Sequence, residues 1–532
     1  MAAVNYKDSS FLIVDNQKLS RDLLKQFAMS LNAFSVDATH YARDVITLCQ
    51  DKHYDIILLG YNLGDGEKNG QQILEELRLD SIVSRQCIII LITAEVSQEM
   101  VLAALEHKPD DYLSKPYTLG NLSHRLAKCF TKKRAMANIY NAMDQGKAQD
   151  VINLSSRALE EHTPYKNECL GIISRQHFEL AEYEQAKQIY LTYQNTPNSQ
   201  WAHIGLGKVA LHEEDLAAAI QIFKALIQTS PLYLSSYDWL ATTYVKQKHF
   251  INAELTMQSA IAISPLSVAR LRRYAELSLK NEHFEQACDA FEKTYKLAYN
   301  SIHHSPDDAL MVARSLIEYS KDLPLQQAKQ MNNRAFKVLA SMNKDFPRDD
   351  FKIQSNLLCA CLYQNTNEES LTQEMIAKAE KQLVTRQKFL PKKSLIEIAK
   401  SLTILNRQTV AEKVLKEISS PYFENDNLSD NDKLEAQIAN EVAMNLYKAE
   451  NYGLAIRKLT KALISFPMHT ALKLNLLQVL LVSYESNNNK TLNLEKSSEI
   501  INEMNGLHNA SKSFERFSKL RNKYNNLCKK RV

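Results

Sequence analysis

Over the first 130 residues short unbroken apolar runs alternate with one-sided amphipathic stretches; beyond them the apolar positions keep a helical spacing. FLIV at 11–14, DIILL at 55–59, CIIILI at 87–92 and DYL at 111–113 are of strand length, and their continuous apolar character predicts strands covered on both faces. Between them Leu19, Leu23, Leu24 and Phe27, then Ile73, Leu74 and Leu77, recur at the spacing of a helix with one buried side. Strands alternating with helices predict a parallel sheet in an α/β sandwich, with ligands at the carboxyl ends of the strands.

From about residue 135 a fixed step replaces this alternation. Pro197, Pro231 and Pro265 stand 34 residues apart, Leu206 and Leu240 keep the same step, as do Ala219, Ala253 and Ala287, and Phe223 and Phe291 are two steps apart. The small residue lets paired helices approach, the aromatic fills the gap, and the proline ends the second helix before the next unit. This pattern resembles the tetratricopeptide repeat family, which implies an all-α superhelix whose groove takes a peptide or helix of another protein. Ala455, Leu459, Ala462 and Pro467 repeat the offsets behind Leu446 and Tyr447, whereas between 300 and 430 only pieces survive, such as Ala411, Leu415 and Pro421. The expected division is 1–130 for the α/β domain, 135–300 for regular repeats, 301–430 for degenerate helical repeats, and 431–532 for further repeats with basic capping helices.

Composition agrees with a mostly helical chain of several domains: in 532 residues there are only 11 glycines and 12 prolines, and five of the glycines fall before residue 130. With 45% apolar and 24% charged residues the chain is neither disordered nor fibrous. Eight scattered cysteines without zinc-site spacing read as reduced thiols, and with no secretory leader or membrane-length apolar run they place the protein in the cytoplasm with no membrane insertion. No Walker A loop, dinucleotide fingerprint, HExxH or GxSxG occurs, so no catalytic centre is expected; His303-His304 reads as an inter-helix loop.

FLIVDNQ, YDIILLGYNL, IIILITAE and DYLSKPY, in that order, resemble bacterial response-regulator receiver domains over residues 8 to 130. The resemblance implies a flavodoxin-like domain with a five-stranded parallel sheet. In that family an acidic pair holds magnesium, an aspartate after the third strand takes a phosphoryl group from a histidine kinase, and a hydroxyl residue and a lysine contact it. Asp15 and Asn16 stand at the acidic pair, Thr93 at the hydroxyl, Lys115 at the lysine and Tyr112 at the aromatic switch, with Asn62 also in the pocket. The acceptor position is Gly60, which offers no atom to phosphorylate. Magnesium is not expected at Asp15 and no other cofactor or metal is implied, since a hard cation wants several anionic oxygens. Lys115 is expected to pair with Asp15 instead. Asp65, in the glycine-rich loop, is the candidate substitute nucleophile, whereas Asp55 begins the strand and lies at its far end.

The expectation is therefore a two-component signalling adaptor, a pseudo-receiver that docks or forms a homodimer and a repeat array that binds a sensor kinase, another response regulator or a peptide. Trp201, His203, Tyr237, Trp239, Tyr244 and Arg273 are the candidate groove residues, since aromatics and arginine dominate interface energies. The alternatives are a receiver phosphorylated on an unusual carboxylate, and nucleic-acid binding by the tail, where residues 509–532 carry eight basic residues and one acid. A capping helix with Phe514, Phe517, Leu520 and Tyr524 along a buried stripe is the preferred reading of that tail, and nucleic acid is not the expected partner.

Overall fold

The computed structural model describes residues 6–64, 66–94, 109–321, 323–386, 390–418, 430–465, 470–486, 491–504 and 512–529. The chain divides into two compact units, 1–346 and 347–532. Asp65, Pro421 and Pro467, and the side chain of Phe514, lie outside the described residues.

The first unit begins with five parallel strands, β1 (Ser10–Val14), β2 (Ser35–Thr39), β3 (Ile56–Gly60), β4 (Ile88–Thr93) and β5 (Asp111–Ser114), in the order β2-β1-β3-β4-β5. Around them lie α1 (Lys18–Ser30), α2 (Ala42–Asp51), α3 (Gly70–Leu79) and α4 (Leu119–Ala135). Alternate residues of the central strands serve opposite faces. Leu12, Val14, Ile57, Leu59, Ile89 and Leu91 pack with Val45 of α2 and Ile73, Leu74 and Leu77 of α3, while Phe11, Ile13, Leu58, Ile90 and Ile92 pack with Leu24 and Ala28 of α1 and Leu122 and Leu126 of α4. Each such fully buried aliphatic side chain contributes about 1.5–3 kcal/mol, which is why these runs are unbroken. The sheet is the flavodoxin-like arrangement expected. The pattern missed β2, an edge strand that is half-buried along most of its length and carries only Val36 and Ala38 as apolar residues. Asp55 accepts from Ser10 N at 2.8 Å and Ser10 Oγ at 2.9 Å, tying β3 to β1 at the end remote from the pocket.

Helices fill the remainder of this unit, each packed on the next. The pairs Gln200–His212 with Leu216–Thr229, Ser235–Lys246 with Phe250–Ile263, and Val268–Lys280 with Phe284–Ala298 follow the 34-residue step. Ala219, Ala253 and Ala287 are fully buried, and so is a second set, Phe223, Met257 and Phe291. Gly207, Ala241 and Ala275 form a third: a Cβ on Gly207 would lie 2.3 Å from the Phe223 ring, so the aromatic rests directly on backbone. Between the two helices of each pair Glu214, Lys248 and Glu282 adopt positive φ of 61°, 62° and 63°. The following N–H reaches back five residues, as in His249 N to Tyr244 O at 2.9 Å, closing a Schellman turn at each repeat.

A buried carboxylate joins two successive pairs. Glu254 accepts from Ser278 Oγ at 2.7 Å, Asn281 Nδ2 at 2.6 Å and His283 Nδ1 at 2.9 Å. Burial pushes its pKa up, but these hydrogen bonds outweigh burial and hold the group below the usual carboxylate range.

In the second unit the pairing of helices continues, from Asp349–Asn365 with Glu369–Arg386 onward. The same positive-φ turn recurs at Asn367, Asn406 and Glu450, but the separations are now 39 and 44 residues. That lengthening hides the repeat from a fixed-step reading of 301–430. Ala411, Ala455 and Leu459 are buried, as their offsets require, whereas Leu415 is exposed and its neighbour Val414 takes the buried position. The basic helix Lys512–Lys529 inserts Phe517 into the last apolar cluster, with Leu520, Tyr524 and Leu527 packed against it. Arg516 donates to Asn475 Oδ1 and to Gln478 Oε1 at 2.7 Å, and Lys523 pairs with Glu485 at 2.7 Å, so part of the positive charge is used within the fold.

Lys248→Gly should raise stability by about 0.5–1 kcal/mol in urea unfolding, because a residue with a Cβ pays for left-handed backbone that glycine adopts freely. Glu254 has a depressed pKa in the folded state, so its contribution is present above the unfolded carboxylate value and is lost as pH falls through the folded one. Wild type should therefore lose stability on acidification below about pH 4.5 more steeply than Glu254→Gln when both are followed by thermal unfolding from pH 7 to pH 3.

Candidate functional site

The carboxyl ends of β1, β3, β4 and β5 converge because their registers align, with Val14 beside Leu59, Gly60 beside Ile92 and Thr93 beside Ser114. Asp15 leaves the end of β1 with its side chain 1% exposed. Its Oδ1 accepts from Gln17 N at 2.9 Å, and its Oδ2 accepts from Ser20 Oγ at 2.7 Å and from Lys115 Nζ at 2.8 Å. Arg21 Nη1 donates to the Asp15 carbonyl at 2.7 Å, and Ser20 Oγ meets Tyr117 OH at 2.8 Å. Lys115 is anchored in turn, since its N–H donates to the Thr93 carbonyl at 2.7 Å. Both carboxylate oxygens thus accept from protein groups, Oδ1 once and Oδ2 twice.

Gly60 ends β3 directly behind this pair. A Cβ there would lie 2.9 Å from the Val14 carbonyl oxygen and 3.4 Å from Asp15 Cα, so the strands have closed over the space where a side chain would begin. Gly70 packs against the same point from α3, where a Cβ would fall 2.4 Å from the Gly60 carbonyl oxygen, and its N–H donates to Tyr61 O at 2.7 Å. Thr93 is buried at the end of β4, and Tyr112 is half-buried against the α2–α3 side of the sheet. Asn16 and Asn62 are exposed, and Asn62 Oδ1 turns to accept from Gly64 N at 3.0 Å. The donor set does not fit magnesium: of the acidic pair only Asp15 is an acid, and its oxygens already serve Gln17, Ser20 and Lys115. Among the described residues no group of three or more His, Cys, Asp or Glu could hold a metal ion.

The six groove candidates do not gather at one place. Tyr237 and Tyr244 are buried and line a hollow of about 340 Å³ with Lys224 and Leu255. Trp201 packs over Gly171 and edge-on to Tyr190 at 6.0 Å, His203 Nδ1 lies 3.3 Å from the Ser199 carbonyl, and the Lys208 ammonium sits 5.2 Å from the Trp239 ring. Arg273 alone among the six lines a larger cavity of about 690 Å³.

That cavity lies between the α/β domain and the helices, and the contacts around it were not legible beforehand. His303 Nε2 and Glu75 Oε1 are 2.6 Å apart, Gln72 Nε2 donates to Leu297 O at 3.2 Å, and Asn300 Nδ2 donates to Gly66 O at 2.9 Å. Gln72 is also the third residue of the capping box at the start of α3, its Oε1 accepting from Asn69 N while its own N–H donates to Asn69 Oδ1. One side chain both caps the helix and fastens it to the repeats. On sequence alone Gln72 and Glu75 occupy the polar face of an amphipathic helix and look solvated, although Gln71 and Glu75 are buried in the fold.

Residues 11–127 match the response regulator receiver domain family, and this part of the chain is a receiver domain. The chemotaxis protein CheY-3 of Vibrio cholerae is 23% identical over 132 residues, which span 25% of this chain and 99% of that protein. Among solved structures, the signal receiver domain of a putative LuxO repressor protein from Vibrio parahaemolyticus is 20% identical, with 24% of this chain and 92% of that one covered at a TM-score of 0.22. The two-component response regulator of Clostridium difficile is 26% identical, with 23% of this chain and 97% of that one covered at a TM-score of 0.21. The receiver domain ties the protein to two-component signalling.

Removing one member of the buried pair leaves an uncompensated charge. Lys115→Met should cost about 1–3 kcal/mol in denaturant unfolding, scaled down from a fully buried pair because Lys115 is 22% exposed. Adding Asp15→Asn to Lys115→Met should recover most of that loss, a coupling that a double-mutant cycle measures.

Proposed function

We propose that this protein is a two-component signalling adaptor whose receiver works without phosphorylation at the usual position and whose helical repeats, of the tetratricopeptide type, recruit a protein partner in the cytoplasm. The observation that carries this reading is the glycine at the acceptor position, in a pocket where Lys115 is already paired with Asp15. In a receiver with its acceptor aspartate the lysine answers that carboxylate and then its phosphoryl group; here its charge is taken by Asp15 alone. A nucleophile has to stand within a few ångströms of the reacting phosphorus, and Gly60 presents only backbone. The protein is therefore read as a recognition module, with neither phosphoryl-transfer activity nor a metal cofactor.

Three features support a repeat array built for recruitment: the 34-residue step in buried positions, the Schellman turn repeated in register, and the hollow lined by Tyr237 and Tyr244. A sensor kinase or another response regulator is the partner class that the receiver context favours.

Incubation of the full-length protein with radiolabelled acetyl phosphate and magnesium tests the first half of this reading. No stoichiometric acyl phosphate is expected, whereas a receiver domain with its acceptor aspartate, run alongside, labels. Label localised by mass spectrometry to a carboxylate of the pocket loop, Asp65 above all, would mean a working phosphorelay receiver and would overturn the proposal.

A further inference from the structure

The cavity between α3 of the receiver and the helices Ser235–Lys246 and Val268–Lys280 carries two guanidiniums, Arg270 and Arg273, two carboxylates, Asp238 and Glu75, and the imidazole of His303 on its wall, and their pairing is uneven. Arg270 spends its guanidinium on Asp238, with Nε to Oδ1 at 2.9 Å and Nη2 to Oδ2 at 2.8 Å. Glu75 faces His303 at 2.6 Å. Arg273 donates only to neutral oxygens, Nη1 to the Asp238 carbonyl at 3.0 Å and Nη2 to Thr242 Oγ1 at 2.8 Å. Among the described residues no carboxylate forms an ion pair with it. Glu276 lies one turn further along the same helix, is exposed, and is not part of the cavity wall. Burial pulls the Arg273 pKa below the ordinary arginine value, with the Asp238 and Glu276 charges acting in the opposite direction.

A half-buried guanidinium with N–H groups to spare, on the wall of a space of about 690 Å³, is a site for an anion. The volume lies within the roughly 300–1,000 Å³ typical of small-ligand pockets. The wall also offers Tyr61 and Tyr233, with Leu232, Leu234 and Val268, so the remainder of the ligand would meet aromatic and aliphatic surface.

We propose that this cavity binds a small organic anion, a carboxylate or phosphate ester, with Arg273 as the group that recognises its charge and the receiver and repeats as its two walls. A ligand held there bridges α3 and the repeat helices and stabilises their contact by mass action. It supplies the receiver with an input that does not pass through Gly60. Tyr61, the neighbour of Gly60 in the chain, is part of the wall, so the loop after β3 would register occupancy. A protein helix is disfavoured as occupant, because α3 already stands on one side and is fastened by Gln72 and Glu75. The inference goes beyond the adaptor reading and is independent of it: phosphoryl labelling decides that one, ligand binding decides this one.

The test uses the full-length protein at fixed ionic strength, titrated by calorimetry with AMP, succinate and inorganic phosphate, and with chloride as control. Saturable binding of AMP with succinate inert identifies a phosphate ester, and the reverse identifies a carboxylate. Arg273→Ala should weaken that binding at least tenfold and Arg273→Lys less, while Lys224→Ala, on the hollow lined by Tyr237 and Tyr244, should leave it unchanged. Hydrogen exchange on wild type, which needs no variant to fold, should slow in both Gly70–Leu79 and Val268–Lys280 when the bound anion is added. Absence of saturable binding by all three probes, binding indifferent to Arg273→Ala, or protection confined to other segments overturns the proposal.

Discussion

A carboxylate withdrawn from water must be answered by a cation and by hydrogen bonds, and in this receiver the answer to Asp15 organises the pocket. Its oxygens draw in the first turn of α1 through Gln17 N and Ser20 Oγ, and the turn after β5 through Lys115 Nζ. Desolvating the carboxylate is expensive, and Gln17 N and Ser20 Oγ add hydrogen bonds to the charge of Lys115 in compensation. With a carboxylate at position 60 Lys115 would be shared between two acids, and the pocket would have two electrostatic states. With glycine there it has one. Backbone comes close to position 60, for a Cβ there would press on the Val14 carbonyl.

The contacts around the pocket also reach beyond the receiver. In a switching receiver the loops at the carboxyl ends of the strands move with phosphorylation; here the loop after β3 and the start of α3 are fastened to the helical repeats through Gly66, Gln72 and Glu75. The capping box at Asn69 and Gln72 gives α3 a defined first turn, so the amide of Gln72 points at the Leu297 carbonyl with little freedom left to lose. The first turn of α3 is thus held by local hydrogen bonds on two sides, the capping box within the receiver and the Leu297 carbonyl across from it.

How much of this could be read from the chain depended on whether a residue's role is set by its neighbours in sequence or in space. The strands of the sheet interior declared themselves because burial on both faces demands unbroken apolar runs; β2 did not, since an edge strand needs only Val36 and Ala38. Three helix pairs were legible through their 34-residue step, while the later ones were hidden by turns spaced 39 and 44 residues apart. The pocket was legible because motif residues carry it, down to the contact between Lys115 and Asp15. The groove candidates fared unevenly: Tyr237 and Tyr244 share a hollow, Arg273 lines another, and Trp201, His203 and Trp239 line neither. Glu75 and His303 could not be found, because their partners lie 228 residues apart and neither position breaks any local pattern.

The same distinction explains why Arg273 matters more than the aromatics chosen beside it. An aromatic in a helical repeat is used up by packing, as Phe223 is on Gly207, and its burial says nothing about a ligand. A guanidinium cannot be used up by packing alone; it carries a charge that has to be balanced, and the Asp238 carboxylate is hydrogen-bonded to Arg270 while Arg273 reaches only the Asp238 carbonyl. What remains at Arg273 is a requirement written into the fold at the seam between receiver and repeats. The two proposals are complementary: a receiver with glycine at position 60 lacks the anion that phosphorylation would place at the ends of its strands, and Arg273 would hold one on the wall of the cavity that Tyr61 also lines.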